Sequence, residues 1–178
     1  MKLLRTPQDR FENLPDYPFE PHYLTISDRG EQESIWIHTI VEGDADAPGV
    51  LMLHGEPSWS VLYRKMVSPF TRAGYRVLAP DLPGFGKSDK PSERGDYSYA
   101  RHVGLLEDWL GLFDLQVIIL IWLVWGGLFG LRLVAVEPHR FARVVTTITM
   151  LPTGDHAAGD AFLHWQKFSQ ETPVFPTG

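Results

Sequence analysis

Three turns in this sequence combine residue types and spacing that could do chemistry, and each follows a short apolar run. The first is His54-Gly55-Glu56-Pro57-Ser58-Trp59-Ser60, after Val50 to Leu53. Gly55 permits a tight turn there, and the backbone N–H of Glu56 can then face a developing oxyanion. A His-Gly-x-Pro string serves equally well as a purely structural turn. The second turn runs from Pro80-Asp81 through Gly84-Phe85-Gly86-Lys87-Ser88-Asp89 to Pro91, and its Gly-Lys-Ser invites a phosphate-binding reading. That reading fails on two residues. A P-loop needs glycine five places before the glycine of its Gly-Lys-Ser, where Asp81 stands, and Pro91 obstructs the helix that must follow. The third turn is Trp122-Leu123-Val124-Trp125-Gly126-Gly127. An apolar strand, a sharp turn and a helix in that order can present a nucleophile on a strained backbone, with small neighbours relieving the crowding. Val124 holds that nucleophile position, and valine has no lone pair with which to attack.

The other residues offer no replacement. No Gly-x-Ser-x-Gly occurs, so a serine hydrolase is not encoded elsewhere, and Ser58 and Ser60 have no base beside them in sequence. Of the seven histidines, His54 belongs to its turn and His102 falls in a helix-compatible run. His22, His38, His139, His156 and His164 show no spacing to a nucleophile and read as structural or solvent-facing. No His pair stands four apart with a Glu between, and cysteine is absent, so no metal and no cofactor is expected.

The turns must be held by elements that alternate. Strands are expected near Phe19 to Ile26, Ser34 to Val41, Gly49 to Leu53, Tyr75 to Ala79, Val117 to Trp122 and Arg143 to Thr149. Helices are expected near Val61 to Arg72, Ser98 to Phe113, Gly126 to Val136 and Gly159 to Gln170. The first two strands, separated by a short polar stretch, read as an antiparallel hairpin; the rest read as βαβ units of a mostly parallel sheet. Ligands of such a sheet bind beyond the carboxyl ends of its strands, which is where all three turns lie. After Met150 the chain turns rich in Gly, Asp and Pro, which marks a boundary: residues 1–150 form one layer-built unit and 151–178 begin another. A sheet ending near Thr149 would leave an open apolar edge, so the chain reads as unfinished.

Composition closes off several classes. Of 178 residues, 44% are hydrophobic and 21% charged, enough to bury a core, and 22 acidic against 16 basic residues give a net charge of −6, which disfavours nucleic acid as a partner. The uncharged stretch Val117 to Leu131 falls short of the roughly 18 to 20 apolar residues that cross a bilayer and contains Gly126-Gly127, so it reads as a buried strand running into a buried helix. With no secretory h-region at the N-terminus, the cytoplasm is the expected location.

Taken together, LHGEPSWSVLYRKM, VLAPDLPGFGKSDKP, YSYARHV, WGGLFGLRLV, RFARVV and LPTGD resemble the haloalkane dehalogenases of the α/β-hydrolase superfamily over nearly the whole chain. The resemblance implies an α/β-hydrolase core that is incomplete here, with C-terminal strands and most of a cap domain absent. It implies cleavage of a carbon–halogen bond to alcohol and halide: a carboxylate displaces the halide, and a water activated by a His and a second acid hydrolyses the resulting ester. In the family, Gln-Asp precedes Trp-Gly-Gly; Leu123 and Val124 occupy those places. By position, the amides of Glu56 and Trp125 would form the oxyanion hole, and the indoles of Trp125 and Trp165, donors only, would hold the halide. Both tryptophans are otherwise ordinary core aromatics. The family's base His and its acid lie beyond Gly178. The implied partner is a small halogenated or apolar molecule, and the chain as written is expected to be inactive. A non-catalytic binder of an apolar ligand or partner is the alternative, and within enzymes an epoxide hydrolase. Bulky Trp122 beside the turn is expected to strain it.

Overall fold

All five residues of Gly49–Leu53 are buried, and their side chains divide between two cores: Val50 and Met52 point to one, Leu51 and Leu53 to the other. This period of two, with apolar residues on both faces, is what a strand covered on both sides requires. The computed structural model describes residues 1–27, 34–149 and 154–172. Among them the strands are β1 (Leu3–Leu4), β2 (His22–Ser27), β3 (Ser34–Glu42), β4 (Gly49–Leu53), β5 (Arg76–Pro80), β6 (Lys90–Pro91), β7 (Ile118–Leu123) and β8 (Phe141–Thr147). The α-helices are α1 (Arg64–Arg72), α2 (Tyr99–Gly111), α3 (Trp125–Val136) and α4 (Asp160–Glu171).

Six strands form one sheet in the order β2-β3-β5-β4-β7-β8, and β1 pairs with β6 in a small antiparallel one. Strands β5, β4, β7 and β8 run parallel, while β3 is antiparallel to both neighbours, so the opening hairpin sits at one end of a mostly parallel sheet. The strand order places β4 in the middle, and its carboxyl end, with that of β7, carries the His54 and Val124 turns side by side.

Boundaries differ from the sequence expectation in ways packing explains. The first strand starts at His22 rather than Phe19, because Phe19 turns edge-on to Tyr17 at a centroid distance of 5.1 Å and packs on the α1-side core. The last strand is Phe141–Thr147, held in register by Ile118↔Phe141 and Leu123↔Thr147. The run Val61 to Arg72 is a 3-10 turn over Ser60–Tyr63 followed by α1. Ser98 caps α2, its hydroxyl accepting from the Arg101 amide at 3.2 Å, as an N-cap serine should. The apolar stretch Val117 to Leu131 divides into β7, a sharp turn at Val124 and the start of α3; among the described residues no helix is long and apolar enough to cross a membrane.

The core between the sheet and helices α2 and α3 gathers Leu106, Trp109, Leu110, Trp122, Phe129 and Leu133. Trp109 is fully buried with its indole donating to Thr39 Oγ1 at 3.0 Å, whereas equally buried Trp122 leaves Nε1 without a partner among the described residues. An orphaned buried donor costs roughly 1–3 kcal/mol. Trp122→Phe is therefore expected to change stability by less than about 1 kcal/mol, the relieved donor offsetting the lost volume, against the roughly 3–5 kcal/mol usual for a Trp→Ala truncation. Chemical denaturation of the two variants checks this.

Below the site, Arg140 is buried and ties the end of α2 to the start of β8. Its Nε donates to the Leu115 carbonyl at 3.0 Å, Nη2 to the carbonyls of Leu110 and Phe113, and Nη1 to Glu137 Oε2 at 3.1 Å. A cation at a helix C-terminus is favourable, and three carbonyls would lose their donor without it. Arg140→Ala is expected to cost about 3 kcal/mol, and Arg140→Lys to recover little, because one ammonium cannot reproduce the fork. Thermal unfolding of both variants is the check.

Strand β8 closes one end of the sheet. Among the described residues β8 pairs with β7 alone, and Val144 and Val145, on its opposite faces, are 41% and 45% exposed. The open apolar edge expected from the sequence is thus present among the described residues.

Candidate active site

The turn between β7 and α3 places a β-branched residue at positive φ, where Val117 and Ile148 also lie. Val124 has φ 49° and ψ −120°, a positive φ that β-branched residues avoid, at a cost on the order of 1–3 kcal/mol. Its surroundings hold it there. The Val124 carbonyl accepts from Gly127 N at 3.1 Å and from Thr149 Oγ1 at 2.6 Å, and its amide donates to the Ile148 carbonyl at 3.3 Å. The glycines nearby make room. A Cβ at Gly126 would meet the Leu53 carbonyl oxygen at 2.2 Å, and one at Gly127 would meet Thr149 Oγ1 at 2.3 Å. The crowding extends across to the other turn: a Cβ at Gly55 would lie 2.6 Å from Val124 Cβ and 3.1 Å from the Trp125 nitrogen. The strain is stored at Val124 itself, and Trp122 below it adds an unpaired indole rather than a positive φ.

That contact brings the amide of Trp125, at the N-terminus of α3, against the turn carrying Glu56. Neither amide donates to a protein acceptor among the described residues. Two free N–H groups next to a turn at the head of a parallel sheet can together stabilise an oxyanion. A carboxylate at position 124 would stand at the N-cap of α3, where Val124 now offers no side-chain hydrogen bond.

A cavity of about 220 Å³ opens beside the elbow, lined by Glu56, Leu82, Phe85, Tyr97, Ser98, Tyr99, His102, Trp125 and Phe129. Of the residues singled out in the sequence, Glu56 and Trp125 line it together, whereas Val124 stands next to it, half-buried, and is not among the lining residues. Trp165 lies on α4 with Phe162 6.3 Å away, half exposed, and is not part of the lining either. The sequence reading did not anticipate Tyr97, Tyr99, His102 and Phe129 as pocket residues. Trp125 and Phe129 at a spacing of four, facing Tyr99 and His102 at a spacing of three, were the available signal.

The remaining polar groups near the turns serve as framework. His54 is buried; its Nε2 accepts from the Leu82 amide at 2.8 Å, so Nδ1 carries the hydrogen and faces the Gly55 carbonyl at 3.2 Å. Burial lowers its pKa against the opposing pull of Asp81, which keeps the ring neutral and fully used by backbone. Asp81, fully buried, is the hub. Its Oδ1 accepts from Ser60 N at 2.8 Å, and Oδ2 from Lys87 N and His38 Nδ1, both at 2.9 Å. Burial alone would raise the Asp81 carboxyl; the hydrogen bond and charge of His38, with His54 and the Lys87 amide, outweigh it and hold the pKa below the ordinary carboxylate value. Ser88 bridges the same loop to β3, donating to the Asp81 carbonyl at 2.7 Å and accepting from His38 N at 2.9 Å. The Gly-Lys-Ser string is therefore a clasp between loop and sheet. Pro91 continues it as part of β6 instead of a helix. Ser60 is committed to Tyr17, with 3.2 Å between hydroxyls, and among the described residues no three His, Asp or Glu side chains gather as a metal centre would need.

Comparison with known proteins bears on the fold that holds these residues. A haloalkane dehalogenase from Psychrobacter cryohalolentis is 58% identical over all 178 residues, which span 58% of that relative's length. The solved structure of the haloalkane dehalogenase DpaA from Paraglaciecola agarilytica superposes with a TM-score of 0.88 at 41% identity, covering 99% of this chain and 58% of that one. A Vigna radiata epoxide hydrolase variant matches less well, with a TM-score of 0.66 at 26% identity over 84% of this chain and 46% of its own. Residues 48–173 match the sequence profile of the alpha/beta hydrolase fold. A mostly parallel sheet, a strained turn at the head of its inner strand and that match over most of the length agree: the chain belongs to the alpha/beta hydrolase fold family.

Proposed function

We propose that this chain carries the elbow and pocket of a haloalkane-dehalogenase-type site in which Val124 stands where the attacking carboxylate would be, so that a small halogenated or apolar molecule binds without cleavage of its carbon–halogen bond. The observation that carries the reading is the backbone of Val124, at φ 49° between β7 and α3, with the amides of Glu56 and Trp125, unbonded among the described residues, beside it. Such a turn is costly and persists where a nucleophile is displayed. Displacement of halide needs an electron pair on the residue at that turn, and an isopropyl group has none. The family-derived parts of the proposal are residues 1–150 as the N-terminal part of the hydrolase core, 151–178 as the start of a cap, a cytosolic setting, and Trp125 with Trp165 as halide donors. The predominantly aromatic lining supports retained binding: a cavity lined by Leu82, Phe85, Trp125 and Phe129 favours an apolar guest.

The test is to add 1-bromobutane to the 178-residue chain while following thermal unfolding and free bromide. The expected result is a cooperative transition whose midpoint rises with 1-bromobutane, and bromide no higher than in buffer. Bromide accumulating over many equivalents per chain would refute the non-catalytic reading, and an unshifted midpoint would refute retained binding.

A further inference from the structure

The cavity beside the elbow is built from rings to a degree that a neutral guest does not require. Six of its nine lining residues present one: Phe85, Tyr97, Tyr99, His102, Trp125 and Phe129. Four of these are nearly parallel. Phe129 stacks with Tyr99, His102 and Trp125 at centroid distances of 5.5, 5.3 and 5.8 Å and interplanar angles of 27°, 9° and 26°. The polar ends of the tyrosines are already used, Tyr97 donating to the Pro91 carbonyl at 2.9 Å and Tyr99 to that of Leu128 at 3.0 Å. Both His102 nitrogens lie against carbonyls, Ser98 at 3.0 Å and Pro83 at 3.3 Å. The rings are thus fixed before any ligand arrives, and Tyr97, Tyr99 and Trp125 still leave 39%, 46% and 37% of their surface open to solvent. Large aromatics clustered and exposed around one opening mark a binding surface.

The charge at that opening has one sign. Among the described residues, Glu56 is the only Asp, Glu, Lys or Arg in the lining. The N-terminus of α3 contributes about half a positive charge, which the full carboxylate exceeds. The lining is rich in rings and Glu56 adds a carboxylate to it, so a guest of good complementarity is a cation too weakly hydrated to prefer water. We propose that this pocket binds a small organic cation of the quaternary ammonium type. The inference rests on the view that this cavity is the ligand site of the chain, and it assigns the occupant's charge.

Choline and 3,3-dimethylbutan-1-ol have the same shape and differ in one atom, nitrogen against carbon, so calorimetric titration of each into the folded chain separates charge recognition from apolar burial. Choline is expected to bind about tenfold more tightly than the alcohol. Glu56→Gln, at an exposed position where folding is not at risk, is expected to weaken choline about threefold, to remove most of its salt dependence and to leave the alcohol unchanged. Trp125→Leu is expected to weaken choline more than the alcohol. Equal affinity for the two probes, or choline binding that both substitutions leave intact, overturns the cation assignment. If the alcohol and 1-bromobutane still bind in that case, the apolar reading of the pocket survives; if none of the three binds a cooperatively folding chain, both readings fail.

Discussion

Val124→Asp, made in the 178-residue chain and incubated with 1-bromobutane, is expected to gain one butyl group per molecule and release one bromide, with no further turnover. The parent chain is expected to gain none. The argument is local to the elbow. A carboxylate placed at φ 49° on the turn before α3 would stand beside the free amides of Glu56 and Trp125. One carboxylate oxygen attacks the carbon bearing bromine, the C–O bond forms as the C–Br bond breaks, and bromide leaves with the electron pair. Hydrolysing the ester needs a base poised over it, and the three buried histidines, His38, His54 and His102, are already committed. His54 is locked between the Leu82 amide and the Gly55 carbonyl, His38 is held by buried Asp81, and His102 lies between two carbonyls. The ester should therefore accumulate. The change in rate, from none to a stoichiometric burst, is the largest effect any single substitution here should have. It should not cost stability. Asp tolerates positive φ better than Val, and it would supply the side-chain N-cap that α3 lacks, so the unfolding midpoint is expected to hold or rise.

The second large effect concerns the framework. Asp81→Ala is expected to destabilise the chain by about 3–5 kcal/mol, because it leaves His38 buried without its partner and frees the amides of Ser60 and Lys87 that fix the ends of both loops. The same residue governs the response to acid. Its folded-state pKa lies below the ordinary value of 3.8, so its contribution is present at neutral pH and is lost as pH falls through the carboxylate range. Buried His54 acts with the same sign at higher pH: its pKa is lowered from 6.5, so protonation below that value works against the folded state. Stability measured by denaturant titration should fall gently below about pH 6.5 and more steeply below about pH 4. Asp81→Asn should remove the steeper part. A flat profile from pH 7 to pH 3 would show that the buried network does not anchor the loops.

Much of this was legible before the fold was known, because the signals were short-range. The alternation of apolar runs with helix-compatible ones identified the strands and helices, and Val124 between an apolar run and Gly126-Gly127 marked the elbow without any coordinates. Failure of the Gly-Lys-Ser string as a phosphate loop was readable from Asp81 and Pro91 alone. What stayed hidden depends on long-range packing. Asp81 is separated from His38 by 43 residues and from Ser60 by 21, and nothing local distinguishes it from the solvent-facing acids. Tyr97, Tyr99 and His102 meet Trp125 and Phe129 only because α2 and α3 pack side by side. Trp165 could be placed on a helix from its neighbours, but its relation to the pocket required the fold. The effect of Trp122 was anticipated as strain in the turn and is found as an unpaired indole N–H in the core, because its side chain points under α3 while the positive φ falls two residues later.

The central claim, that residue 124 sits where a nucleophile belongs and that its side chain withholds the halide-displacing step, is tested most directly by peptide mapping of the Val124→Asp chain after exposure to 1-bromobutane, with the parent chain treated alongside. The account predicts a single butyl ester, found on the peptide spanning β7 and the start of α3 and located at position 124, and no modification of the parent. Butylation at Glu56 or another carboxylate, or equal labelling of the parent, would contradict it.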